Sequence, residues 1–482
     1  MISIKPSTAM SNASTIELTP AFIVIFGITG DLAVRKLLPA LYELQKNNLL
    51  HTETRIIGIT RHQQTVDDVL KKAEPSILSR DGRLNNEIIA ALHDRMELFS
   101  MQSALVDDYP SLGQHLDSLE DEAGLCINRL FYLAVPPQIS MSIISHLGES
   151  GLRNGCHSHG NAACLLLEKP FGFDCTTAQE LIDATTAYFH EDQIFRIDHY
   201  LAKETVQNMV TFRFRNPLFE DIWDNKHIES IDIAAHEKID IEGRANFYES
   251  VGALRDLIQS HLLHIMSVVM MDRPGDIPDA NAMHDARLKV LEHIEPVPAD
   301  KIEQRVVRGQ YEGYKTEADS PKSEIETFVS LKLFSRDPDW SDVPIYLTTG
   351  KAMESKYTRI TICFKAKHSD QEHTNQLIFY IQPNESIVVK LWIKKPGFKR
   401  ELQTAPMSFS YDQLFTAHGH PDAYERVLID AIRGDNSLFA TSDEVMAAWR
   451  ILQPVIDNWS KSDKGLVSYK KDSSGPDLST LQ

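Results

Sequence analysis

The sequence predicts an α/β N-terminal domain on a mostly parallel sheet, followed by a larger β+α domain with a mostly antiparallel sheet. Two observations carry this. From Ala21 to about Asp198, short apolar runs alternate with longer amphipathic ones, which is how βαβ units read. Beyond Asp198 the chain changes to alternating strands joined by polar loops, with a few long helices between them. The 482 residues suit two or three domains, and no repeat, Gly/Ser linker or low-complexity tract marks off a third. The expected division is 15–198 and 199–482.

The first strand is Phe22 to Phe26. A helix follows from about Asp31, with Leu37, Leu38, Leu41 and Leu44 at helical spacing. Arg55 to Ile59 gives the second strand. Further buried strands are expected at Leu130 to Val135, stopped by Pro136 and Pro137, and at Ala163 to Leu167, stopped at Lys169-Pro170. A helical stretch from about Leu201 to Arg213 leads into strands at Ser230 to Lys238, Glu324 to Phe334, Thr358 to Phe364, Leu377 to Gln382 and Ile387 to Lys394. Helices are expected at Gly252 to Met271, Ala423 to Ile432 and Ser442 to Trp459. Ala366 to Thr374 reads as a polar loop, and the polar tail after Lys461 is expected to fray.

Composition narrows the function. Lys and Arg number 49 against 68 Asp and Glu, a net charge of −19, so nucleic acid and anionic membranes are not general partners. An anionic ligand needs a local basic pocket. The five cysteines (Cys126, Cys156, Cys164, Cys175, Cys363) are odd in number and never spaced C-x-x-C, which fits a reducing, cytoplasmic setting. The N-terminal stretch has no continuous apolar region, and no apolar run approaches the ~18 to 20 residues that span a bilayer. Cys156-His157-Ser158-His159 has no second ligand pair at standard spacing, so no metal is expected.

The chemistry-bearing motifs sit at strand ends. FGITGDLA places Gly27 and Gly30 between the first strand and first helix, where a pyrophosphate can approach the backbone and rest on the helix N-terminus. The second strand ends Gly58-Ile59-Thr60-Arg61-His62. No acid stands there to accept from a ribose 2′-hydroxyl, and the Arg61 guanidinium suits the 2′-phosphate of NADP. LLLEKPFG puts Lys169 at the end of a buried strand, pointing into the crevice beyond the sheet. FRIDHYLAKE gathers Asp198, His199, Tyr200 and Lys203 near one helix start, with His199 and Lys203 four apart on one helical face, ready to clamp a phosphate. In GALRDLIQSHLLHIMSVVMM, His261 lies on the apolar stripe of Leu254, Leu257, Ile258, Leu262, Ile265 and Val269. A base working near neutrality suits such a place when a carboxylate orients it, and Asp198 is a candidate carboxylate.

With these motifs in view, ITGDLA, FYLAVPP, EKPFG, RIDHYLAKE, RDLIQSHLL and VPIYLTTGK together resemble the glucose-6-phosphate dehydrogenase family, in family order from about Phe22 to Trp459. The resemblance implies a Rossmann-like coenzyme domain, a second domain that assembles dimers or tetramers through its sheet, and NADP-linked oxidation of glucose 6-phosphate to 6-phosphoglucono-δ-lactone. It implies His261 as catalytic base and Asp198 as the carboxylate behind it. Phosphate ligands would be His199, Tyr200 and Lys203. Lys169 and Lys351 would contact the sugar, with Glu237, Asp256, Lys356 and Gln382 at other substrate positions. Coenzyme positions would be Gly27, Thr29, Gly30, Asp31, Leu32, Arg61 and Tyr132, joined by Lys169.

The chain departs from the family at several places. Val34 stands where many members have Lys, Ser260 replaces an Asn before the base, and Ala202 replaces a Gly before Lys203. Thr348 occupies the position of an Arg that helps animal members hold a second, structural NADP. Two other readings remain open at this point. One is a sugar dehydrogenase of the glucose-fructose oxidoreductase kind, and the other a non-catalytic NADP(H)-binding sensor.

Overall fold

The computed structural model describes residues 18–103, 105–155, 163–276, 279–366, 374–414, 421–461 and 464–481. The sequence motif Cys156 to His159, the N-terminal stretch to residue 17 and most of the polar loop after Ala366 lie outside the described residues. Internal packing divides the chain into two units, 1–166 with 428–434, and 167–427 with 435–482.

The first sheet takes its strands from β1 (Ala21–Phe26), β2 (Arg55–Thr60), β3 (Met96–Ser100), β4 (Asn128–Leu133), β5 (Cys164–Leu167) and β6 (Ile194–Arg196), in the order β3-β2-β1-β4-β5-β6. β1 pairs parallel with β2 and β4, and β2 with β3. Every residue of β1 is buried, which explains its continuous apolar run, AFIVIF. The strand order reverses between β1 and β4. In a doubly wound sheet that is where a ligand binds beyond the carboxyl strand ends. Gly27 closes β1 there with φ of 85°, and a Cβ on it would meet Ala134 O at 2.4 Å, so only glycine fits. Gly30 N–H donates to Gly27 O at 2.9 Å and closes the turn.

The second sheet has nine strands: β7 (Ile228–His236), β8 (Val306–Tyr311), β9 (Phe328–Leu333), β10 (Ile345–Gly350), β11 (Tyr357–Phe364), β12 (Gln376–Gln382), β13 (Ser386–Lys394), β14 (Leu402–Ser410) and β15 (Leu466–Tyr469). Their order is β14-β13-β12-β11-β7-β10-β9-β8-β15. Most neighbours are antiparallel, while β7 with β10 and β15 with β8 run parallel. The parallel β7–β10 pair sets His236 opposite Gly350, so the residues that follow, Glu237 and Lys351, leave the sheet side by side.

The helix expected from Gly252 to Met271 is present from Leu254 to Met270, but its winding differs from a uniform α-helix. A helix over Ala245–Ala253 has a non-helical Gly252 at φ 67°, a widened π-type turn spans Leu254–Leu262, and an α-helix spans Leu263–Met270. All of Leu263–Met270 is buried. The tail also differs from expectation. Instead of fraying it adds β15 to the sheet, with Tyr469 and Leu481 both buried. Cys126 is disulfide-bonded, which the cysteine spacing gave no sign of, whereas Cys164, Cys175 and Cys363 are thiols outside any disulfide.

Candidate active site

Asp198 follows β6 and is buried, yet it remains a carboxylate. Burial opposes its charge, but two imidazoles outweigh it and hold the group well below its usual range. His261 Nδ1 lies 2.6 Å from Oδ1, His264 Nδ1 lies 2.7 Å from Oδ2, and Tyr200 N–H donates to Oδ1 at 2.9 Å. An ionised carboxylate only accepts, so both Nδ1 atoms carry the hydrogen that faces it. Among the described residues His261 Nε2 has no partner although it is buried. Its ring forms part of the wall of a cavity of about 250 Å³. Burial pushes the His261 pKa down even though Asp198 pulls it up, which leaves a neutral acceptor aimed at whatever fills the cavity.

The same cavity is lined by Lys169, His199, Tyr200, Glu237, Asp256 and Lys351. Lys169 Nζ donates to Asp256 Oδ1 at 3.0 Å and to Asp256 O at 2.8 Å. Burial works against the Asp256 charge, but Lys169 and Lys351 hold it below the usual range. Lys351 Nζ pairs with Glu237 at 2.5 Å, the consequence of the β7–β10 register. Cations and carboxylates are thus interleaved around the cavity, a surface matched to a polyhydroxylated ligand whose hydroxyls both donate and accept.

The helical face expected for His199 and Lys203 does not form. The helix starts only at Glu204, and Lys203 before it is extended, so both side chains project from a turn. Lys203 Nζ reaches Gln382 Oε1 at 2.8 Å, and Gln382 Nε2 donates to Tyr200 OH at 3.3 Å and to Thr358 at 3.1 Å. The Tyr200 phenol is pushed up to about 12 by burial and stays protonated. Burial, then His261 and Lys169, pushes His199 well below its ordinary value, so His199 offers a neutral ring and the positive charge at this end comes from Lys203. Lys356 is exposed and does not line the cavity.

In the first unit Thr29, Gly30 and Leu32 are half-buried and Asp31 is exposed around the β1 turn, while Tyr132 is fully buried within β4. Arg61 is exposed just past β2 and makes no ion pair among the described residues. A tight glycine turn at a helix start and an uncommitted guanidinium in place of an acid are the donor set that a dinucleotide with a 2′-phosphate needs.

Two family models match almost end to end: "Glucose-6-phosphate dehydrogenase, NAD binding domain" over 24–208 and "Glucose-6-phosphate dehydrogenase, C-terminal domain" over 210–481. The chain belongs to the glucose-6-phosphate dehydrogenase family. It is 36% identical to the glucose-6-phosphate 1-dehydrogenase of Chlamydia muridarum, covering 92% of this chain and 91% of that one. Identity to the Rhizobium meliloti enzyme of the same name is also 36%, with 97% of each covered. A solved glucose-6-phosphate dehydrogenase in complex with its substrate glucose 6-phosphate superposes with a TM-score of 0.88 at 30% identity, over 96% of each chain. Family membership makes this chain an oxidoreductase of glucose metabolism, in a family that uses NADP.

Within that family frame, several residues around the site escaped sequence reading. Arg244, Phe247 and Tyr248 line the cavity, and the Lys351 ammonium lies 5.1 Å from the centre of the Tyr248 ring. Glu326, buried, accepts the Leu254 N–H at 2.9 Å and starts the turn that carries His261. A Cβ on Gly252 would meet that carboxylate at 2.4 Å. The visible signal was the glycine inside a helical pattern, which marks a close approach. Tyr469 and His264 gave none, since each matters only through a distant partner. Thr348 is buried and bonded to Ser330 at 2.7 Å.

Proposed function

We propose that this chain oxidises β-D-glucose 6-phosphate at C1 to the δ-lactone, with His261 as the base and Asp198 as the group that orients it. The observation that supports this is the bare Nε2 of His261 in the cavity wall, with Nδ1 fixed on Asp198 at 2.6 Å. Nε2 takes the proton of the C1 hydroxyl. Charge then develops on the imidazole, and the buried carboxylate stabilises it where no water competes. Lys169 with Asp256, and Lys351 with Glu237, hold the sugar hydroxyls; Lys356 and Gln382 complete the substrate side. Lys203, with Tyr200 and His199, receives the phosphate.

NADP supplies the hydride acceptor when bound. Gly27, Thr29, Gly30, Asp31 and Leu32 would hold its pyrophosphate, Arg61 its 2′-phosphate, and Tyr132 and Lys169 complete the coenzyme set. The division into a coenzyme domain over 15–198 and a substrate and assembly domain over 199–482, a homodimer or homotetramer, and a cytoplasmic location belong to the same reading. No helix among the described residues is long and apolar enough to cross a membrane. Three cysteines kept as thiols support the location, and the Cys126 disulfide weighs against it.

Steady-state assay decides the matter. Wild type should turn over glucose 6-phosphate with NADP far better than unphosphorylated glucose. His261→Asn should lose roughly 10² to 10⁴ in kcat with little change in KM. Near wild-type turnover by that variant, or equal use of free glucose, would sink the reading.

A further inference from the structure

We propose that His264 is a positioning residue for the base: by holding the second oxygen of Asp198 it fixes the carboxylate against His261 and limits how tightly the base grips its proton. The inference rests on His261 being the base. His264 lies three residues beyond His261, is 1% exposed, and does not line the cavity, so it meets no substrate there. It nevertheless ends on the same carboxylate, Nδ1 to Oδ2 at 2.7 Å, as His261 ends on Oδ1 at 2.6 Å. One buried carboxylate is therefore shared by two imidazoles, with the Tyr200 N–H as a third donor.

Two consequences follow. A carboxylate held at both oxygens cannot rotate about its Cβ–Cγ bond, so Oδ1 stays in line with the His261 ring. The N–H on Oδ2 also draws negative charge away from Oδ1. Less charge there means weaker stabilisation of a protonated His261, and a base that is neutral to lower pH. The other charged groups near His264 are spoken for. Glu444, on the helix Ser442–Trp459, is bonded to Arg287 Nε at 2.6 Å and lies 3.4 Å from His284. Arg213, on the helix Glu204–Arg215, donates to the backbone carbonyls of Val268 and Met271. Asp198 is thus the group that answers to a change at His264.

The test compares His264→Met, which keeps apolar bulk but has no donor, with His264→Gln, whose amide can still reach Oδ2. The full-length enzyme is assayed with glucose 6-phosphate and NADP across pH. The sign follows from the base needing to be unprotonated: when its pKa rises, activity is lost at a higher pH on the acid side. His264→Met should move the acid limb of kcat/KM up by about one pH unit and lower kcat roughly tenfold, with KM little changed. His264→Gln should restore both to near wild type. If Met fails to fold, Gln is compared with His264→Asn, whose amide is too short, and the same split is expected. Parallel behaviour of donor and non-donor variants, or a change confined to KM, would overturn the proposal. An active His261→Asn would overturn the base assignment instead, so the two failures are told apart.

Discussion

On the proposed reading Lys203 and Arg61 each meet a ligand phosphate, and each should fail in its own way. Lys203 donates to Gln382, which in turn bonds the cavity residue Tyr200, and a ground-state phosphate ligand there would bind substrate and transition state alike. A charged hydrogen bond is worth ~1.5 to 3 kcal/mol. Lys203→Ala should therefore raise KM for glucose 6-phosphate about 10- to 150-fold with a smaller effect on kcat. Free glucose should be indifferent to the change, and equal losses for both sugars would remove Lys203 from the phosphate site. Arg61, exposed and without an ion pair among the described residues, has a different specificity. Arg61→Ala should weaken NADP by ~1.5 to 3 kcal/mol and leave NAD nearly untouched, because NAD has no 2′-phosphate to grip. Parallel losses of kcat/KM for both coenzymes would mean that the guanidinium stacks on the adenine instead.

At the scale of elements, the sequence was legible where burial alone determines structure. β1, β2, β4 and β5 are near-continuous apolar runs because a parallel sheet covered on both faces leaves them no wet side. β8, β14 and β15 are short or mixed in polarity, and their pairing depends on distant partners that periodicity cannot see. The site divides the same way. Asp198 and His261 were legible from a strand end and an apolar stripe, while His264 and Tyr469 act through contacts set only by the fold. Tyr469 shows the cost of that blindness. Brought into register by the β15–β8 pairing, its hydroxyl donates to Lys351 O at 2.7 Å and lies 2.8 Å from Thr327 Oγ1. The tail thereby fixes the backbone of a cavity lysine. Tyr469→Phe loses the neutral hydrogen bond that holds Lys351 O, worth ~0.5 to 1.5 kcal/mol, together with the hydroxyl's contacts to Thr327. The expected result is a KM for glucose 6-phosphate raised about 2- to 13-fold with kcat nearly intact. If only thermal stability moves and KM does not, the tail stabilises the sheet without tuning the site.

At the scale of the whole molecule, the far end of the nine-stranded sheet presents apolar side chains on an exposed face. The β13–β14 register places Val389, Leu391 and Ile393 on one face beside Gln403, Ala405 and Met407, and Ile393 and Met407 are 39% and 62% exposed. A net charge of −19 makes close approach of two copies unfavourable unless such a surface is buried between them. Exposed strand faces of this kind are also aggregation hazards unless a partner covers them. On the proposed homodimer or homotetramer reading, this face is where copies of the chain would meet. Met407→Glu combined with Ile393→Glu would desolvate two carboxylates at the centre of the contact and add like-charge repulsion, a cost of several kcal/mol. Light scattering after size exclusion should give a dimer or tetramer for wild type and single chains for the double variant at the same concentration. Single chains from the wild type would refute assembly itself. An unchanged oligomer in the double variant would move the interface away from β13 and β14.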